Sequence, residues 1–161
     1  MPRHEEGFSL IELLIVVAII LIIAAIAIPS LIRSRIAANQ ASAIESLRVL
    51  GTSEVTYSAI YGNGYSATLA ALGPPPAGTI PSASAADLID DLMASGTKSG
   101  YNFTYSPALL DATGRYNGYT LLANPKQVGI SGIDFYYEDE SHLIRMNATA
   151  QAGSTDTCVA D

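Results

Sequence analysis

The chain has 161 residues, 49% hydrophobic and 14% charged, a length that suits one domain and a composition that excludes an intrinsically disordered chain. Its formal net charge of −7 disfavours nucleic acid as a partner. The single cysteine, Cys158, excludes an intramolecular disulfide and any CxxC redox or zinc motif.

No charged residue occurs between Glu12 and Arg33, so positions 13 to 32 are uncharged. About 20 residues rising ~1.5 Å each make ~30 Å of helix, the hydrocarbon thickness of a bilayer. Leu13 to Ile28 is apolar without interruption, which predicts a helix hydrophobic on every face and inserted in a membrane. A secretory signal would use Ala25-Ile26-Ala27 as its cleavage site, but the head MPRHEEG is acidic rather than basic. For a plain anchor, Arg33 and Arg35 after the segment against Arg3 before it favour a cytoplasmic C-terminal part. Neither rule explains Glu12. Ser9-Leu10-Ile11-Glu12 fits a capping box, with Phe8 and Leu13 as its hydrophobic staple, and Pro29 reads locally as a helix kink.

The stretch GFSLIELLIVVAIILIIAAIAIPSLIRSR resembles the N-terminal segment of type IV pilins and pseudopilins. The likeness rests on a short polar leader ending in Gly7, then Phe8, then Glu12 four residues on, then a long apolar helix carrying Pro29. It implies that a prepilin peptidase on the cytoplasmic side cuts between Gly7 and Phe8 and that the new Phe8 amine is methylated. It also implies that the helix stays on the mature protein and later packs into a filament core, with Glu12 pairing with the Phe8 amine of an adjacent subunit. Many members carry a glycine about eight residues before the proline, where this chain has Leu21. That residue favours an unbroken helix between Leu21 and Pro29.

Past Pro29, residues Ile36, Ala43, Leu47, Leu50, Tyr57 and Tyr61 recur in steps of three, four or seven, one stripe of an amphipathic helix. Gly62-Asn63-Gly64 stops it, so helix from about Phe8 to Tyr61 would span ~80 Å. Tyr65 to Ala86 is a loop broken by Gly73-Pro74-Pro75-Pro76 and Pro81. Ser84-Ala85-Ala86-Asp87 reads as a second capping box opening a short helix over 85–94, with Asp87, Asp90 and Asp91 as N-terminal charge rather than a cation site. Tyr101 to Ser106, Tyr116 to Ala123, Ile133 to Tyr137 and His142 to Asn147 read as four antiparallel strands, with Tyr119, Leu121 and Ala123 sharing one face. Glu138-Asp139-Glu140 reads as a solvated turn rather than a calcium loop, and the tail from Ala150 as loose and polar.

The expected fold is α+β, a long N-terminal helix, apolar then amphipathic, packed on a four-stranded antiparallel sheet; the resemblance makes this a pilin-like lollipop. Its parts are a removable leader 1–7, a membrane or filament-core helix 8–32, an amphipathic stem 33–61, a surface connection 62–100, the sheet 101–149 and a tail 150–161. No protease, hydrolase or phosphate-loop motif is present, and no catalytic residue, metal site or cofactor is assigned. The resemblance implies a structural subunit of a helical homo-oligomeric filament, handled by the prepilin peptidase and methyltransferase and by inner-membrane assembly machinery. Such a chain crosses the inner membrane of a bacterium once, in contact with lipid, before reaching the cell surface, or the periplasm if it is a type II secretion pseudopilin. A monomeric membrane-anchored binding domain is the remaining alternative.

Overall fold

The computed structural model describes residues 8–159, so Gly7 and the rest of the leader lie outside the described residues. Helix α1 covers Leu10–Tyr61. It contributes to two compact units, one up to Arg35 and one from Ile36 onward.

In the first unit the helix is built almost wholly of Leu, Ile, Val and Ala, and large side chains from Leu10 to Ile32 are exposed. Straight and β-branched aliphatic residues without a polar competitor favour a continuous helix once the surroundings are apolar. The helix runs without a break through both Leu21 and Pro29.

In the second unit the residues from Ile36 to Tyr61 form the amphipathic half of α1. Ile36, Ala43, Leu47, Leu50 and Tyr57 are buried and Tyr61 packs against the core from its margin, as the stripe predicts. The helix ends where expected, with Gly62 at φ 66° donating its N–H to the Ser58 carbonyl at 3.0 Å. A 3-10 turn, Leu69–Leu72, follows, capped by Thr68, and then extended chain.

The short helix is a correction. Helix α2 covers only Asp91–Ala94, with Asp90 rather than Ser84 as its cap. Residues 86 to 89 instead lie against the 3-10 turn, their N–H groups donating to the carbonyls of Ala71, Leu72 and Gly73 at 2.8–3.1 Å. Those partners lie 14 to 17 residues away in sequence, so the capping pattern at Ser84 loses to tertiary hydrogen bonds that no local signal announces.

The sheet has six strands in the order of the chain: β1 Thr97–Lys98, β2 Tyr101–Leu110, β3 Tyr116–Pro125, β4 Phe135–Asp139, β5 Arg145–Asn147 and β6 Thr157–Cys158. All neighbouring pairs are antiparallel. The four expected strands form its centre, and two short edge strands are added. Pro107 stands inside β2 instead of ending it. The tail is ordered onto the sheet, since β6 pairs with β5, Ala152 is buried, and Asp156 accepts from Asn147 and from the Gly153 N–H. Tyr119, Leu121 and Ala123 are fully buried on one face, in a common core with Ala43, Leu47, Leu50 and Tyr57 of α1. Edge residues of the helix bind the sheet's loops, Asn39 donating to the Ser131 carbonyl at 2.7 Å and Gln40 to Asp134 at 2.5 Å.

Candidate functional site

At the start of α1 the backbone is set by Ser9, whose carbonyl accepts the Leu13 N–H at 3.2 Å. That places Ser9 at the helix cap, as the sequence predicts. Phe8 precedes the helix and is 81% exposed, and Glu12 is exposed on its first turn. A carboxylate there is complementary to the positive end of the helix dipole. Pro29 lies inside the helix, and its missing N–H leaves the Ala25 carbonyl without an intrahelical donor. Glu12 and Pro29 are 17 positions apart, ~26 Å along a helix, so the two do not form a joint site. Gly7 falls outside the described residues.

Between them the helix presents a single kind of surface. From Leu13 to Ile32 it carries no charge, and it is long and apolar enough to cross a membrane. Chemically, this element can partition into lipid or pack against other apolar helices. Its one acid, Glu12, would be left needing a cationic partner there.

The second unit holds polar chemistry that the sequence reading missed. Glu54, on the buried side of α1, is fully buried; its Oε2 accepts the Ser66 N–H at 2.8 Å and its Oε1 the Ser66 hydroxyl at 2.6 Å. Burial raises its carboxyl above the ordinary range, and the two Ser66 bonds only partly oppose that. Tyr105 donates its hydroxyl to the Ser66 carbonyl at 2.7 Å, and burial, reinforced by Glu54, drives its phenol upward. The signal for Glu54 was available, since 47, 50, 54, 57 and 61 continue the apolar spacing with an acid in the middle.

Glu138 overturns the solvated reading of Glu138-Asp139-Glu140. It is the fourth residue of β4, on the same face as buried Tyr136, and is only 1% exposed. Tyr105, Leu121 and Glu138 stand in register across β2, β3 and β4. Asp139 ends β4, and Glu140 lies in the turn that follows it. Asp90, suspected only as helix charge, caps α2 through the Met93 N–H at 2.6 Å and meets Lys98 at 3.1 Å. Among the described residues no group of three or more His, Cys, Asp or Glu side chains could hold a metal ion.

Residues 2–28 match the family described as the Prokaryotic N-terminal methylation motif. Over 56 residues the chain is 48% identical to the type IV major pilin protein PilA of Myxococcus xanthus (strain DK1622). That match covers 35% of this chain and 25% of the relative's length. No solved structure gives a significant match. The N-terminal segment thus carries a prokaryotic methylation motif with an apolar helix directly behind it, and the resemblance of this segment to those of type IV pilins is borne out.

Proposed function

We propose that the chain is a structural subunit of a type IV pilus-like filament, without catalysis of its own. The observation that carries this reading is the methylation motif at 2–28, running into the exposed apolar half of α1, where Glu12 is the single acid. A peptidase cuts after Gly7, and the Phe8 amine that is freed becomes methylated. The helix then waits in the inner membrane, because ~20 apolar residues satisfy both its length and its backbone hydrogen bonds there. On assembly, lipid contacts are exchanged for helix-to-helix packing.

Glu12 gives the assembly step its register. A charged residue at the centre of a membrane helix costs roughly 2.5 to 3.5 kcal/mol, and less near the interface. A neighbour's methylated Phe8 amine, close to the helix start, offsets that cost only when two subunits are staggered so that the charges meet. Removing one partner of a buried ion pair costs roughly 3 to 5 kcal/mol, whereas loss of a helix cap costs ~1 kcal/mol.

Two measurements test the reading. Mass spectrometry of the mature protein from native cells should give an N-terminus at methylated Phe8; a peptide starting at Ile28 would instead identify a secreted protein. Glu12→Gln keeps a side chain that a capping box accepts and removes the charge. It should leave membrane insertion and Gly7 cleavage intact while sharply lowering the yield of sheared filaments. Wild-type yield from this variant would make Glu12 a cap only.

A further inference from the structure

The turn between β4 and β5 meets α1 at a residue without a side chain. A Cβ at Gly51 would overlap Glu138 Oε1 and come within 2.8 Å of His142 Nδ1, so the glycine creates the space that both groups occupy. Glu138 Oε1 lies 3.4 Å from His142 Nδ1, while Oε2 is buried with no hydrogen-bond partner among the described residues. His142 is held at φ 57°, a left-handed conformation uncommon outside glycine. Asp139 maintains it: its carbonyl accepts the His142 N–H at 2.9 Å, and its carboxylate accepts the Ser141 N–H at 2.9 Å and the Ser141 hydroxyl. The result is a strained turn folded over a buried acid that has one weak contact and one orphaned oxygen. Such a site tolerates a neutral carboxyl far better than a carboxylate.

We propose that Glu138, seated on Gly51 under His142, is a proton-operated latch that closes the 139–145 turn onto α1 when protonated and releases it when ionised. Charged and titratable groups surround it on the neighbouring elements. Asp139 and Glu140 follow in the chain, Tyr119 of β3 places its hydroxyl 3.5 Å from His142 Nδ1, and Tyr65 packs edge-on against Tyr119. From α1 come Glu54, whose charge reaches Tyr119, and Arg48, which lines a small cavity with His142, Ile144 and Cys158. Burial first, and the charge of Asp139 second, push the Glu138 carboxyl up to about 8. Because the closed form binds this proton more tightly than the open one, closure is fully favoured below about 4.5, weakens as pH rises, and loses its proton-linked part above about 8.

Amide hydrogen exchange of the full-length chain in detergent micelles, corrected for intrinsic base catalysis, reads the latch directly. Protection of residues 139–145 should fall about tenfold per pH unit between pH 5 and 8 and then level off, one proton being linked to opening. In Glu138→Gln, which mimics the neutral acid, it should stay flat; a parallel fall in that variant overturns the latch, as does a flat wild-type profile. Should Glu138→Gln fail to fold, the side-chain carboxyl carbon of Glu138 in the wild type decides by NMR: a titration midpoint near 8 supports the latch and one near 4.5 overturns it. His142→Gln should keep the pH-dependent step, because the proton resides on Glu138. None of these readouts depends on polymerisation.

Discussion

Glu54 and Glu138 are both buried acids, yet one is saturated with hydrogen bonds and the other is half empty. Glu54 is a tie between α1 and the chain that leaves it, because Ser66 supplies both of its donors. Ser66→Ala removes the hydroxyl and keeps the N–H, and should lower stability by roughly 1 to 3 kcal/mol, the usual cost of an unsatisfied buried group. Urea unfolding of the full chain in micelles, followed by near-ultraviolet circular dichroism, measures it; an unchanged midpoint would mean that water replaces the hydroxyl. The role of Gly51 was invisible at sequence level. A glycine inside a helix reads as a defect worth about 1 kcal/mol, and only the approach of Glu138 and His142 shows what it admits. Gly51→Ala should therefore be destabilising in spite of its better helix propensity, and Glu138→Ala in the same chain should relieve part of that loss.

At the scale of elements, the apolar half of α1 follows from composition. Leu21 has an intrinsic helix preference over glycine of roughly 0.8 to 1 kcal/mol, so the backbone from Leu21 to Pro29 should remain helical in assembled filaments. A filament density map with extended backbone from Leu21 onward would contradict this. Leu21→Gly should reduce amide protection around that position, with Pro29 already lacking one hydrogen bond nearby. The central strands were legible because period-two alternation puts Tyr119, Leu121 and Ala123 on one side. The edge strands β1 and β6 were not, since two residues carry no periodicity and exist only by pairing with a longer neighbour. Glu138 was misplaced for a related reason. A run of three acids looks solvated until the register across β3 and β4 turns its first member inward.

For the second unit as a whole, pH should act from three sides. Asp90 is held low by the Met93 N–H and by Lys98, and Asp111 by the Thr113 hydroxyl and the Arg115 N–H. For Asp139, burial works the other way but the Ser141 bonds prevail. These lowered groups contribute stability that is present above about 3.8 and lost as pH falls through their folded values. Glu54 and Glu138 are raised, so their contribution is present below about 4.5 and lost as pH rises, through about 8 for Glu138. Burial also raises the phenols of Tyr101, Tyr105 and Tyr119 above 10, which adds stability that disappears in strong alkali. The thermal midpoint should peak around pH 4 to 5, decline toward pH 8, and fall again above pH 10. A midpoint highest at pH 7 to 8 would show that the buried acids do not govern it.

The sequence by itself determined the processing motif, the apolar helix, its amphipathic continuation and the central strands. Each is a property of residues near one another in the chain, where charge gaps, periodicity and capping are read directly. Tertiary structure alone decided the hydrogen-bonded course of 86–89, the ordering of the tail and the burial of Glu138. Those outcomes depend on hydrogen-bond partners and strand registers set by segments distant in sequence. An acid becomes a buried acid only when another part of the chain closes over it.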